Sequence, residues 1–219
     1  MKGHSKRDFM SNTIRIIPLE PSYAKALEDL QTICYPTLGY HERMRAEHFL
    51  NHYQIFPEAN LIALEEDQVV GLGSGFFTNF NFDDSHHTFQ DIISQGYYSN
   101  HDPNGEWYYG ADISVHPHYR GKGIGKLLYK ARKELVKRYN RRGIIAGGLI
   151  PDYVNHKDKW DAENYVQKVV DGQLFDSTLS FQLKTGFVVK GLLKDYIEDS
   201  ASDNWATLIV WENPDYQAD

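Results

Sequence analysis

The 219-residue sequence predicts a single α/β domain, and three observations carry that expectation. Seven short segments have strand character, amphipathic helical stretches lie between them, and the length suits one core with no linkers, repeats or low-complexity tracts. The expected class is α/β in the α+β sense: helices flanking a twisted seven-stranded sheet.

The elements follow in order along the chain. Thr13–Ile17 reads as a first strand, stopped by Pro18 and Pro21. Residues 22–33 and 41–53 read as helices separated by Pro36 and Gly39, with Ala26, Leu27, Leu30 and Ile33 as the apolar stripe of the first. Leu61–Leu64 and Val69–Phe77 read as strands joined by a turn at Glu65–Gln68. Residues 78–106 form an irregular insert rich in aromatic, Asn, Asp and His residues, with a short helix near 88–95. Trp107–Val115 is the next strand. Strict alternation puts Tyr109, Ala111, Ile113 and Val115 on one face and Gly110, Asp112 and Ser114 on the other.

A long helix follows, with Ile124, Leu127, Leu128, Ala131, Leu135, Val136 and Tyr139 as its buried face and Arg141-Arg142-Gly143 as its end. Ile144–Ile150 is a strand stopped by Pro151. In a second insert, 152–175, Asp161 caps a helix over 162–171, and Asp176 then caps another over 177–185 that ends at Gly186. Phe187–Leu193 and Trp205–Trp211 complete the seven strands. The domain is expected to span 13–213, with 1–12 as a flexible N-terminus and 214–219 as a tail.

Residues 115–126, Val-His-Pro-His-Tyr-Arg-Gly-Lys-Gly-Ile-Gly-Lys, carry the chemistry. Gly121, Gly123 and Gly125 permit a close backbone approach between the strand end and the helix. Free N–H groups at a helix start, backed by the helix dipole, form an anion site, and Arg120, Lys122 and Lys126 add charge around it. A P-loop is excluded, because Gly121 and Gly125 are one residue too close and Leu127 stands where a hydroxyl is needed. A dinucleotide fingerprint is excluded because position 126 is lysine. Residues 120–142 hold ten of the 23 Lys and Arg against one acid, Glu134; that local +9 sits on a chain of net charge −7. A basic patch on an acidic body suits a small anionic ligand and argues against nucleic acid. A nucleic-acid-binding helix at 124–142 is therefore the weakest of the rival readings.

Arg120-Gly121-Lys122-Gly123-Ile124-Gly125 resembles the Arg/Gln-x-x-Gly-x-Gly/Ala signature of the GNAT acetyltransferase superfamily, and Val115-His116-Pro117 resembles that family's strand ending. The element order, β-α-α-β-β-β-α-β-α-β-β with inserts, is also similar. Gly147–Pro151, Leu179–Leu183, Gly186-Phe187, Trp205–Leu208 and Trp211–Asn213 resemble the GNAT domains related to those fused to carbon–nitrogen hydrolases. The resemblance implies a mixed, mostly antiparallel sheet and acetyl-coenzyme A as co-substrate. It also implies direct acetyl transfer to an amine, small molecule or peptide, in a ternary complex. The loop residues Arg120–Lys126 would take the pyrophosphate, and backbone N–H groups of Ile113, Ser114 and Val115 would face the thioester carbonyl.

Asp112 sits where several relatives place an acidic group near the amine, and burial would raise its pKa towards the range of a general base. The alternative is a structural aspartate bonded to the next strand or loop. Tyr109 either shapes the acceptor pocket or packs. Many relatives have a tyrosine four residues before the Gly-Phe that follows the last helix; here that position is Gln182, which is no general acid, and the alternatives are Ser180, a water, or a thiolate that leaves without enzymic protonation. This departure keeps a second function open, a non-catalytic acyl-coenzyme A-binding sensor.

The aromatic insert offers three alternatives: a pocket wall for a cationic amine, an extra core, or a homodimer contact. His48/His52, His86/His87 and His116/His118 match no complete zinc pattern, so no metal is expected. No apolar run spans a membrane and the N-terminus lacks a signal-peptide stretch, while the single cysteine, Cys34, allows no internal disulfide; a cytoplasmic protein is the expectation.

Overall fold

The computed structural model describes residues 13–218, so the expectation for residues 1–12 lies outside it. Seven strands form one sheet: β1 (Ile14–Pro18), β2 (Leu61–Glu65), β3 (Gln68–Thr78), β4 (Trp107–Val115), β5 (Gly143–Leu149), β6 (Val188–Leu193) and β7 (Ala206–Glu212). Their order is β1-β2-β3-β4-β5-β7-β6. All neighbours are antiparallel except β4 and β5, which run parallel. Helices α1 (Ala24–Cys34), α2 (Ala46–Ile55) and the short α3 (Phe89–Ile92) cover one face. Helices α4 (Ile124–Arg138), α5 (Ala162–Val170) and α6 (Leu179–Lys184) cover the other. No helix among the described residues is long and apolar enough to cross a membrane.

Two irregularities in the sheet create the site. First, β4 and β5 pair only through Trp107–Gly143, Tyr108–Ile144 and Tyr109–Ile145. Beyond these, β4 stays with β3 as far as Val115 and β5 stays with β7 as far as Leu149, so the two strands diverge into a wedge. Second, β4 is bulged. Ser74 opposes Asp112 while Gly75 opposes Gly110, which leaves Ala111 as the extra residue. The uninterrupted alternation expected from the sequence therefore fails. Tyr109 and Asp112 share the α1 face, whereas Ile113 and Val115 pack towards α4.

The helices are shifted from their expected frames in informative ways. In α1 the buried positions are Ala24, Leu27, Leu30 and Gln31, while Ala26 and Ile33 are exposed. In α4 they are Ile124, Leu128, Tyr129, Arg132, Leu135 and Val136, with Leu127 and Tyr139 exposed. Helix α4 ends at Arg138, four residues before the expected stop. Asn140 takes the left-handed conformation (φ 47°) and donates its N–H to Lys137 O, while the Arg141 N–H reaches Val136 O. That closing pattern is usually built on glycine, but asparagine supports it too. Gly143, expected as the terminator, instead starts β5. Gly186 (φ 92°) does end α6 by the same pattern, with Phe187 N–H on Gln182 O. In the aromatic insert, Phe80 and Phe89 join the core under α1 and α2, and Phe82 packs edge-on against Trp107. The C-terminal segment turns back onto α4, where Gln217 N–H donates to Asn140 Oδ1 at 3.0 Å.

Candidate active site

The glycine loop leaves β4 through a turn at Pro117–Tyr119 and enters α4 at Gly123. Gly121 (φ 78°) and Gly123 (φ 85°) need left-handed backbone, and a Cβ at either would meet no atom within 4 Å. The backbone conformation is what requires glycine at both, and the space beside them is open. Gly125 differs: a Cβ there would lie 3.0 Å from the Phe181 ring, so it lets α6 approach α4. No side chain caps α4, and its first intrahelical bond is Leu127 N–H to Gly123 O, which leaves the amides of Ile124, Gly125 and Lys126 without intrahelical acceptors. Arg120 is braced by its Nε–H on Val115 O at 3.1 Å, and Lys122 lies over the Tyr119 ring.

From this loop a groove of Arg120, Gly125, Val115, Cys34 and Phe181 runs inward. It joins an inner cavity inside the β4–β5 wedge, the two sharing Tyr35, Ile113, Leu149, Thr178 and Gln182. His116 donates its N–H to Val70 O at 2.9 Å across the β3 side. By antiparallel alternation the Ser114 amide also faces β3, so the amides of Ile113 and Val115 face the unpaired edge that lines the wedge. Of the three backbone donors expected from the sequence, Ser114 is thus committed elsewhere.

Asp112 sits in the inner cavity and is only 6% exposed. The Tyr35 hydroxyl donates to its Oδ1 at 2.6 Å and Gln31 Nε2 donates to Oδ2. Burial is the largest influence and raises its pKa from 3.8 to about 6, while the hydrogen bonds from Tyr35 and Gln31 and the charge of Arg132 oppose the rise. The partners come from α1 and its end, not from the next strand or loop.

Arg132, 2% exposed, reaches the same strand from the opposite face. Its Nη2 donates to the backbone carbonyls of Ser74 (3.1 Å) and Asp112, and the guanidinium lies over Tyr108 and Tyr129. A Cβ at Gly110 would stand 2.9 Å from its Nη1, which explains glycine there. Gln182 also lines the cavity, 3% exposed, with its Oε1 unpartnered. Gln31, Tyr35 and Arg132 were not singled out from the sequence. Two of them left a signal: Gln31 falls one turn after Leu27, and Arg132 lies midway between Leu128 and Val136, polar residues on apolar faces.

The other named residues lie further from the cavity. The Tyr109 hydroxyl is buried between Tyr196 (3.0 Å) and His87 Nε2 (2.7 Å), and it is Tyr196 that lines the cavity wall. Ser180 Oγ accepts the Asp176 N–H at 3.0 Å. Asp176, wholly buried, caps the α6 turn by accepting from Thr178 and Leu179 and also holds the Tyr165 hydroxyl. His48 and His52 are buried against backbone, His52 with its pKa lowered to about 3 by burial. No group of three or more His, Cys, Asp or Glu among the described residues could hold a metal ion.

The site thus combines a split parallel pair, a bulged strand and a glycine-spaced turn into a helix. The model of the acetyltransferase (GNAT) family matches residues 24–147, and the chain belongs to that family. It is 34% identical over 218 residues to the uncharacterized N-acetyltransferase YkwB of Bacillus subtilis strain 168, covering 99% of this chain and 96% of that one. It is 41% identical over 189 residues to a probable hydrolase of the same organism, YhcX, covering 86% of this chain but only 36% of that protein. The chain thus spans about a third of that relative's length. Among solved structures, it superimposes on the loading GNATL domain of CurA from Lyngbya majuscula with a TM-score of 0.79 at 18% identity, covering 92% and 98% of the two chains. It also superimposes on the GNAT-like decarboxylase GphF in complex with isobutyryl-CoA, with a TM-score of 0.77 at 20% identity, covering 91% and 99%. Both are likenesses of fold.

Proposed function

We propose that this chain is an acetyl-coenzyme A-dependent N-acetyltransferase that moves the acetyl group directly to an amine. The observation that carries the reading is Asp112, a carboxyl held near pKa 6 in the cavity that continues from the glycine loop. The pyrophosphate lies on the amides of Ile124, Gly125 and Lys126 with Arg120, Lys122 and Lys126 around it, in the space that Gly121 and Gly123 leave open. Above pH 6 the Asp112 carboxylate takes a proton from the acceptor ammonium. The freed nitrogen attacks the thioester carbonyl, the C–N bond forms, and the amides of Ile113 and Val115 donate to the developing oxyanion. The C–S bond then breaks, and the second proton shed by nitrogen balances the one that the thiolate takes up. Holding both substrates in one wedge removes much of the entropic barrier. Tyr109 supports Tyr196 at the wall, and Ser180 holds the turn that presents Thr178 and Gln182.

One observation favours a second reading, a coenzyme A-binding sensor. Gln182 carries no acidic proton, and Ser180 lines neither the inner cavity nor the groove. Free-thiol release from acetyl-coenzyme A with a panel of amines separates the two. Release that requires an amine supports the transferase; tight coenzyme binding without release on any acceptor supports the sensor.

A further inference from the structure

The α1 half of the cavity is closed over by three segments tied to one another. Leu38 forms an antiparallel bridge with Asp199, the Gly39 N–H reaches Glu198 O at 2.9 Å, and the Ser200 N–H reaches Thr37 O at 3.3 Å. The start of α3 joins them, with the Phe89 N–H on Tyr196 O at 2.6 Å. Glu42, 7% exposed, is the bracket: its Oε1 accepts the Glu198 N–H at 3.0 Å and its Oε2 accepts Gln90 Nε2 at 2.7 Å. An extended chain crossing the wedge would have to break this roof. The inner cavity is about 100 Å³, so it admits only a small body.

The lining under the roof has a definite chemistry. Leu38, Met44, Phe89 and Ile197 are apolar, and the ionisable groups among them are Glu42, Asp112 and the two phenols Tyr35 and Tyr196. Among the described residues the cavity's one Lys or Arg is Arg132, which lies away from the roof with its guanidinium held by the carbonyls of Ser74 and Asp112. Arg43, nearby, donates Nη2 to Leu38 O and Pro36 O, and His41 approaches Glu42 only at 3.8 Å from the exposed rim. Both Glu42 oxygens thus have neutral donors and retain lone pairs for a cation.

We infer that the acceptor is a small primary amine with an apolar body and no carboxylate, enclosed whole beneath the roof with its ammonium group served by Asp112 and Glu42. The inference deepens the transferase reading and rests on it. Peptides are refused by the closed roof. Amino acids are refused because a ligand carboxylate would meet the fixed carboxylates of Asp112 and Glu42, while the guanidinium of Arg132 is already held by backbone carbonyls.

The test uses matched acceptors: isopentylamine against leucine, phenethylamine against phenylalanine, and a tetrapeptide beginning with each residue. Free-thiol release is measured, and amine binding to the coenzyme A-loaded protein is followed by calorimetry. The expected result is kcat/KM for the amines at least about 100-fold above the amino acids, with the peptides at background. Glu42→Gln, which keeps an acceptor for the roof, should raise KM for the amines by about tenfold or more with kcat little changed. Comparable turnover of a peptide or an amino acid would overturn the inference and leave the transferase intact. Amine binding without thiol release on any acceptor would overturn the transferase and keep the pocket assignment; absence of amine binding would overturn the pocket.

Discussion

The Tyr35 hydroxyl donates to Asp112 Oδ1 at 2.6 Å, tying the end of α1 to the first residue beyond the bulge in β4. With Gln31 on the other oxygen, that contact orients the carboxylate in the wedge while leaving it buried enough to hold its proton up to about pH 6.

This gives a stability prediction with a definite sign. A carboxyl whose folded pKa lies above its ordinary 3.8 stabilises the fold below about pH 4, and that contribution is lost as pH rises through about 6. At pH 8 the charged, desolvated Asp112 costs about 3 kcal/mol of folding free energy. Asp112→Asn should therefore gain stability relative to wild type between pH 4 and pH 8, read from denaturant midpoints at the two values. A variant uniformly less stable at both would mean that the hydrogen bonds outweigh the desolvation.

Gly123→Val tests the loop. Nothing in the protein obstructs the new side chain, but φ 85° is costly for a β-branched residue, by about 1–2 kcal/mol, and the side chain would fill the open space. Coenzyme A affinity measured by calorimetry should fall by at least about tenfold while the far-ultraviolet spectrum stays that of the folded protein. Wild-type affinity in a folded variant would move the pyrophosphate site elsewhere.

Arg132→Met probes the buried cation. The guanidinium opposes the rise of the Asp112 pKa, so its removal should carry the midpoint of the pH–rate profile above about 6. The carbonyls of Ser74 and Asp112 also lose their donor, so Tm should fall. A midpoint unchanged or lowered would show that Arg132 is electrostatically remote from the carboxyl.

Much of this site was legible before the structure. The glycine loop, β4 from Trp107 to Val115, the cap at Asp161 and the terminator Gly186 all rest on local rules, in which a residue's own backbone preference decides. The faces of β4 were not legible, because the bulge at Ala111 depends on the partner strand, and one extra residue reverses every later side chain. The end of α4 was missed because asparagine took the position that glycine usually fills. Gln31 and Arg132 show a more general point. A polar residue in the middle of an apolar stripe is buried with the stripe, and such a residue needs a partner; both of these reach Asp112.

The most direct test of the account is the pH dependence of kcat/KM for acetyl transfer, measured with the best acceptor of the amine panel in wild type and in Asp112→Asn. The wild type should show an ascending limb with its midpoint near pH 6, and the variant should lose that limb and about 10²- to 10⁴-fold in rate while keeping its affinity for coenzyme A. An Asp112→Asn protein with the wild-type rate and the wild-type profile would contradict it.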